Sequence, residues 1–324
     1  MEKNIVFISI FKDLIPKYIK YKRALGFKYE YDYLKRLRAM DRFIYKNFEI
    51  SDVVLTKEMV LAYTKRRDNE ANSTTCGRCS LIRGFATYLK ELGYKDIYIL
   101  PNEYIPKNTT NFIPYIFSKE QISKLFTIID TYNFKSSYLK QHKMYSVLAR
   151  LLYGSGLRIS EALSLKVSNF DFTNSIIHII ESKNNCSRTV CMSQTLSNVM
   201  YNYIATRNIS NNSFVFPSPT GKIYCQETVR DKFKNFFKIA NIYTSSGKPP
   251  RIHDFRHTFA VHSLEKMVNN GMDIYCMLPF LSTFLGHKNI YATEKYLRLV
   301  EDNFTNLLMK NSKLIFPEVD EYEE

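Results

Sequence analysis

Five residues in four short stretches are chemically matched to one another. His253 and Arg256 lie in RIHDFRHTFA, His287 in FLGHKNI, Tyr296 in ATEKYLRL, and Arg158 far upstream in YGSGLRISEALSLKV. Arginine forks pair with phosphate oxygens two at a time, a histidine titrates near neutrality, and a tyrosine oxygen can become covalently bonded to a substrate. Such a set suits holding a phosphodiester while a phenol attacks it, so DNA strand transfer is the chemistry these residues serve best.

Each residue also has a plainer reading. Arg158 follows Gly154, Ser155 and Gly156, a tight bend before a helix expected to begin near Ile159, and an arginine there could simply be solvated. Glu161, three residues on, has the spacing to hold that arginine in one rotamer. His253, Arg256 and His257 fall at i, i+3 and i+4, on one face of a helix that follows Pro249-Pro250 and otherwise buries Phe255, Phe259 and Val261. Phosphate binding explains that polar cluster. A zinc site on His253 and His257 is the rival, but no HExxH glutamate is present and Arg256 would repel a cation, so neither metal nor cofactor is expected. Tyr291 is the rival nucleophile to Tyr296.

The elements that must position these residues fall into two parts. Over residues 1–107, the segments FKDLIPKYIKYKRALGF, YDYLKRLRAMDRFIYKNF, TKEMVLAYTKRRDNE and STTCGRCSLIRGFATYLKELGY carry apolar residues at helical spacing, which predicts an all-α domain of four helices with a basic face. Gly26 should close the first, Thr56 cap the third, Ser73 or Thr74 cap the fourth, and Gly93 end it. Ile97 to Tyr115, with three prolines and a polar run, reads as the linker to a second domain over 108–324. There, helices near 118–129 and 139–153 precede two β-branched runs, SIIHIIE and SRTVCMS, that read as a hairpin around Ser182 to Asn185, and then helices return. The fold class is therefore mainly α with a small β-hairpin or sheet, an α+β second domain behind an all-α first one.

Composition narrows the partner. With 46 basic and 31 acidic residues among 324, the formal charge is +15, and the first 107 residues hold 21 basic against 13 acidic. A polyanion is the natural partner and double-stranded DNA fits best. No apolar run is long enough to span a bilayer and no signal peptide is evident, so a cytoplasmic protein without membrane contact is expected. Six cysteines, including one isolated CGRC, make neither a disulfide framework nor a convincing zinc site.

GLRISEAL, HDFRHTFA, LGHKNI and the tyrosine nine residues beyond that histidine, in this order and spacing, resemble the tyrosine recombinase (phage integrase) family over residues near 113–305. The resemblance implies that Arg158, His253, Arg256, His287 and Tyr296 form the catalytic set. The family's lysine sits on a hairpin turn, which points to Lys183, although SKNNCS replaces the usual glycine-containing turn and Arg188 or Lys222 are competing assignments. It further implies a 3′-phosphotyrosyl intermediate, His253 as the base that assists Tyr296, a homotetramer on two DNA sites, and accessory DNA-bending proteins as additional partners. On the same grounds, a helix bearing Phe304, Leu307, Leu308 and Met309 would pack on a neighbouring protomer. Integration or excision of a phage or transposon is the expected role. The alternatives are chromosome-dimer resolution, DNA inversion, a type IB topoisomerase, or a non-catalytic DNA-binding regulator.

Overall fold

The computed structural model describes residues 5–27, 29–107, 113–133, 139–180, 187–287 and 289–303, with the side chains of 139–142 and 298–303 excluded. The chain divides into two compact units, Met1–Phe112 and Ile113–Glu324.

The first unit contains α1 (Leu14–Ala24), α2 (Tyr31–Asn47), α3 (Lys57–Thr64) and α4 (Asn72–Glu91), one for each amphipathic segment. Thr56 caps α3 by accepting from the Met59 N–H at 3.3 Å, and Gly26 and Gly93 take the left-handed backbone that ends α1 and α4. The expected cap of α4 differs. Its N-cap is Ala71, which makes no side-chain cap, and both Ser73 and Thr74 lie inside the first turn. The linker is also shorter than its composition suggests. Ile97 and Leu100 are buried in the first unit's core, Ile97 bridges Leu55, and Arg83 donates to the Leu100 carbonyl. Apolar anchors therefore hold the proline-marked stretch down over its first half.

In the second unit, α5 (Lys119–Thr131) starts at a Ser118/Gln121 capping box, followed by α6 (Leu139–Ser155) and the short α7 (Ile159–Ser164). Three antiparallel strands follow in the order β1 (Phe170–Asp171), β2 (Ile176–Ile179) and β3 (Arg188–Cys191). Ile177 pairs Val190 and Ile179 pairs Arg188. Ile177, Ile179 and Val190 face the core while His178 and Thr189 face out, the alternation a half-buried hairpin requires. The expected turn, Ser182 to Asn185, lies outside the described residues, and β1 is a two-residue strand without a sequence signal. Then come α8 (Gln194–Thr206), α9 (Gln226–Ile239), α10 (Asp254–Asn269), α11 (Ile274–Leu285) and α12 (Tyr291–Asn303). Helix α10 packs against α6, α11 and α12. Ala260, Val261 and Leu264 of α10 meet Leu278, Leu281 and Leu285 of α11 and Leu297 of α12 in a small apolar cluster of their own.

Candidate active site

The bend after α6 is set by Gly156. Its φ is +61°, and a Cβ there would lie 2.4 Å from Cδ1 of Phe259 and 3.0 Å from Cδ2 of Leu285, so only glycine lets the bend press against α10. The close approach brings the Gly156 carbonyl within 2.9 Å of Arg256 Nη1, which donates to it. Two residues on, Arg158 is the N-cap of α7, and Glu161 folds back to accept from its backbone N–H at 2.9 Å and from its Nη1 at 2.7 Å.

Three guanidiniums converge on the C-terminal end of α11, where helix carbonyls lack intrahelical partners and the dipole is negative. Arg188 Nε donates to the Phe284 carbonyl at 2.8 Å, Arg256 Nη2 to Leu285 at 2.6 Å and Arg158 Nη2 to Gly286 at 3.0 Å. Arg188 also closes a fork on Glu161, at 3.1 and 2.9 Å, so one carboxylate ties Arg158 to Arg188. Burial alone would raise the Glu161 pKa, but the Arg188 and Arg158 contacts win and hold it down at about 2. The carboxylate is ionised at any working pH. Three cations against this one buried anion leave surplus positive charge facing the tyrosine, the balance an incoming phosphate would neutralise.

Tyr296 is 1% exposed and belongs to the α10–α11–α12 cluster. Its Oη lies 2.8 Å from His257 Nδ1, a hydrogen bond whose donor depends on the imidazole tautomer. The His287 ring stacks at 6.4 Å from the Tyr296 ring, and the His253 ring stands edge-on to His257 at 4.8 Å. His287 is fixed through Nδ1, 2.7 Å from the buried Thr293 hydroxyl. Burial pushes the Tyr296 phenol up to about 12 against the opposing pull of Arg256 and Arg158. Burial, reinforced by neighbouring cations, pushes His253, His257 and His287 down to about 4, 2 and 3. Arg256, buried beside Arg158, falls to about 10 and stays charged at neutrality. All three imidazoles are neutral at pH 7 and can each accept a proton.

The structure thus brings Arg158, His253, Arg256, His287 and Tyr296 to one place, although they span more than a third of the chain. Lys183 lies outside the described residues. Of its competitors, Arg188 is committed to Glu161 and to α11, while Lys222 lies on a turn where its backbone N–H donates to the Ser218 hydroxyl. Tyr291 is 75% exposed at the start of α12, whereas Tyr296 is buried under the electrostatic influence of Arg256 and Arg158. Sequence reasoning expected His253 to be the group beside the phenol. Among the described residues the hydrogen bond goes to His257 instead, one helical turn further along, because His253 caps α10 while His257 sits inside it facing α12. The i, i+4 spacing contained the signal, since both histidines share that face. Arg188 gave no warning, because β3 offers no reason to bury an arginine until α11 is packed against it.

The family model described as the phage integrase family matches residues 116–302. A putative integrase/recombinase, y4rB, from Sinorhizobium fredii is 29% identical over 90% of this chain and 93% of its own length. A tyrosine recombinase from Pseudothermotoga lettingae is 30% identical over 80% of this chain and 82% of its own. Among solved structures, the Tn1549 transposon integrase in complex with transposon right end DNA superposes with a TM-score of 0.61 at 19% identity, covering 86% of this chain and 92% of that one. A lambda integrase dimer bound to a COC′ core site gives a TM-score of 0.62 at 12% identity, over 86% and 94%. With its all-α first unit and its mainly helical second unit around a three-stranded sheet, the chain has the tyrosine recombinase fold. It belongs to the phage integrase family, and is an enzyme of the tyrosine recombinase type.

Proposed function

We propose that this chain is a site-specific recombinase that cleaves and rejoins duplex DNA through Tyr296 and serves to integrate or excise a mobile element. The observation that carries the chemistry is a buried phenol facing two arginines that are already held in place by backbone carbonyls. Arg256 spends donors on the ends of α6 and α11 and Arg158 on the end of α11 and Glu161, and the remainder of each one's five N–H groups can meet the non-bridging oxygens of a phosphodiester. Preorganised donors of this kind stabilise charge as it develops on a phosphorane and need no reorganisation during the step.

The reaction follows from the groups. Tyr296 Oη attacks the scissile phosphorus, a 3′-phosphotyrosyl bond forms, and the 5′-oxygen leaves with a proton, for which Lys183 is the proposed donor. A 5′-hydroxyl of a partner strand reverses the step, so the phosphodiester energy is conserved and neither metal nor nucleotide is required. His287 is a further neutral hydrogen-bonding group beside the phosphate. A homotetramer on two DNA sites is the proposed working unit. The mobile-element role draws on the relatives named integrase and on the transposon integrase of the same fold; chromosome-dimer resolution is the competing role.

The test is covalent trapping. Wild-type chain is incubated in EDTA with a library of nicked suicide duplexes of randomised sequence, and SDS-resistant adducts are recovered. Adducts enriched for one sequence are expected. Absence of adducts, or adducts that form only after zinc or magnesium is added, overturns the reading. Attachment repeats or transposon ends in the DNA flanking the gene would separate a mobile element from dimer resolution.

A further inference from the structure

The catalytic set implied by the family resemblance does not include His257, yet its Nδ1 is hydrogen-bonded to the Tyr296 hydroxyl. We propose that His257 is the catalytic base that takes the proton from Tyr296 during cleavage and returns it during rejoining. The inference rests on the assignment of Tyr296 as nucleophile.

Geometry comes first. Nδ1 and Oη are 2.8 Å apart, within reach for direct transfer, and among the described residues this is the one hydrogen bond the Tyr296 hydroxyl makes. Neither of the other two imidazoles hydrogen-bonds the phenol: the His253 ring meets the His257 ring, and His287 Nδ1 pairs with the Thr293 hydroxyl. A neutral imidazole has one N–H and one lone pair, and the phenol has a single hydrogen to donate. With the proton on Nε2, Nδ1 receives that hydrogen and the pair is poised for transfer. The imidazole is neutral because burial, His253 and Arg256 on its own helix, Lys295 on α12 and Arg251 before α10 all disfavour its cation. Burial on α10 against α12 also fixes the ring, which is 4% exposed, so the acceptor is aimed before substrate arrives.

The step balances. The Tyr296 O–H bond breaks as the Oη–P bond forms, the proton goes to His257 Nδ1, and the P–O5′ bond breaks with its electron pair leaving on the 5′-oxygen. The negative charge is never left on the phenol. It passes to the phosphorane oxygens at Arg158 and Arg256, which offsets the cost of placing a proton on a buried imidazole. In rejoining, the imidazolium returns its proton to the departing Tyr296 oxygen.

Three replacements at 257 separate a base from a prop. His257→Asn places an amide oxygen near the position of Nδ1 and keeps a hydrogen bond without basicity; His257→Ala removes both; 2-fluorohistidine at 257 keeps the shape and fold while weakening the base. Each is assayed for single-turnover cleavage of the duplex selected by wild-type chain, with and without fluorotyrosine at 296, and for non-covalent binding of that duplex. All three are expected to cleave about a hundredfold or more slowly with binding unchanged. Fluorotyrosine, a more acidic phenol, should recover a large part of the loss in each. Cleavage by His257→Asn or by the 2-fluorohistidine protein within about threefold of wild type, or a loss that fluorotyrosine leaves unchanged, overturns the proposal and makes His257 a positioning residue at most. Those outcomes with a normal wild-type adduct at Tyr296 sink this inference alone. A wild-type adduct at another tyrosine sinks the Tyr296 assignment with it.

Discussion

A phenol held at about 12 is a poor nucleophile, so Tyr296 depends on the residues around it more than a surface tyrosine would. Tyr296→Phe removes only the hydroxyl from a well-packed ring. It should bind DNA as wild type does and form no SDS-resistant adduct, whereas Tyr291→Phe should form the adduct normally, since Tyr291 is a surface residue. The reverse pattern would show that the nucleophile is Tyr291. The arginines make a sharper test, because their roles are directional. Arg256 reaches two backbone carbonyls through its two Nη atoms, and Arg158 reaches the Gly286 carbonyl and the Glu161 carboxylate through its own, forks that an ammonium cannot reproduce. Arg256→Lys and Arg158→Lys should each slow cleavage by about a hundredfold or more, on the order of 3 kcal/mol at the transition state. Single-turnover rates within tenfold of wild type would remove them from the reaction.

The elements explain why the arginines stand where they do. Helix α11 ends at Gly286, whose φ of +68° suits glycine, and a Cβ there would meet Arg188 Nη1 at 2.9 Å and Cδ at 3.1 Å. Gly286→Ala would therefore strain the backbone and push Arg188 from Glu161 and the Phe284 carbonyl. Glu161→Gln leaves two guanidiniums sharing a neutral amide in place of a carboxylate. Glu161→Gln should lower stability by roughly 3–5 kcal/mol, the range for breaking a buried charge pair, Gly286→Ala should also destabilise, and both should slow cleavage although neither residue is expected to touch DNA. Thermal melting and cleavage rate measured together check this; a normal rate in a destabilised Glu161→Gln would show that Arg158 needs no such support.

The same elements mark what was legible in the sequence. Helix positions, the Thr56 cap and the hairpin strands follow from local periodicity and spacing, and the proposed catalytic set from the resemblance of four short motifs to one family. The packed first half of the linker, the burial of Arg188 and the choice of His257 over His253 do not, because each is decided by a neighbour distant in sequence: Leu55 for Ile97, Phe284 for Arg188, and α12 for the histidines.

At the scale of the whole molecule, the site carries surplus positive charge beside three histidines that folding keeps neutral. An unfolded histidine takes up a proton near 6.5, and these three do so only near 4, 2 and 3. Below pH 6.5 the unfolded chain therefore binds more protons, so their contribution is complete above 6.5 and is lost as the pH falls from there through about 4, 3 and 2 in turn. A loss on the order of 1–2 kcal/mol per histidine by pH 5, after discounting for partial solvent access, should appear as a falling melting temperature. Replacing His257 and His287 with uncharged residues should flatten that decline; an unchanged slope would place its origin elsewhere.

Positive charge is spread over both units rather than confined to the one that holds the tyrosine, with 21 basic residues against 13 acidic in the first 107 alone. If both units hold the duplex, each contributes phosphate contacts, and their linkage makes the second contact intramolecular at an effective concentration in the millimolar range for a short connection. Residues 1–112 and 113–324, expressed separately, should thus each bind the selected duplex about a hundredfold or more weakly than the whole chain, even when mixed. The dependence of log affinity on log salt should be steeper for the full chain than for either part, and close to the sum of the two slopes, because each slope counts the counterions displaced by that part's own cations. A second unit that binds as tightly as the full chain, with the same salt slope, would mean that the basic helices of the first unit do not touch DNA.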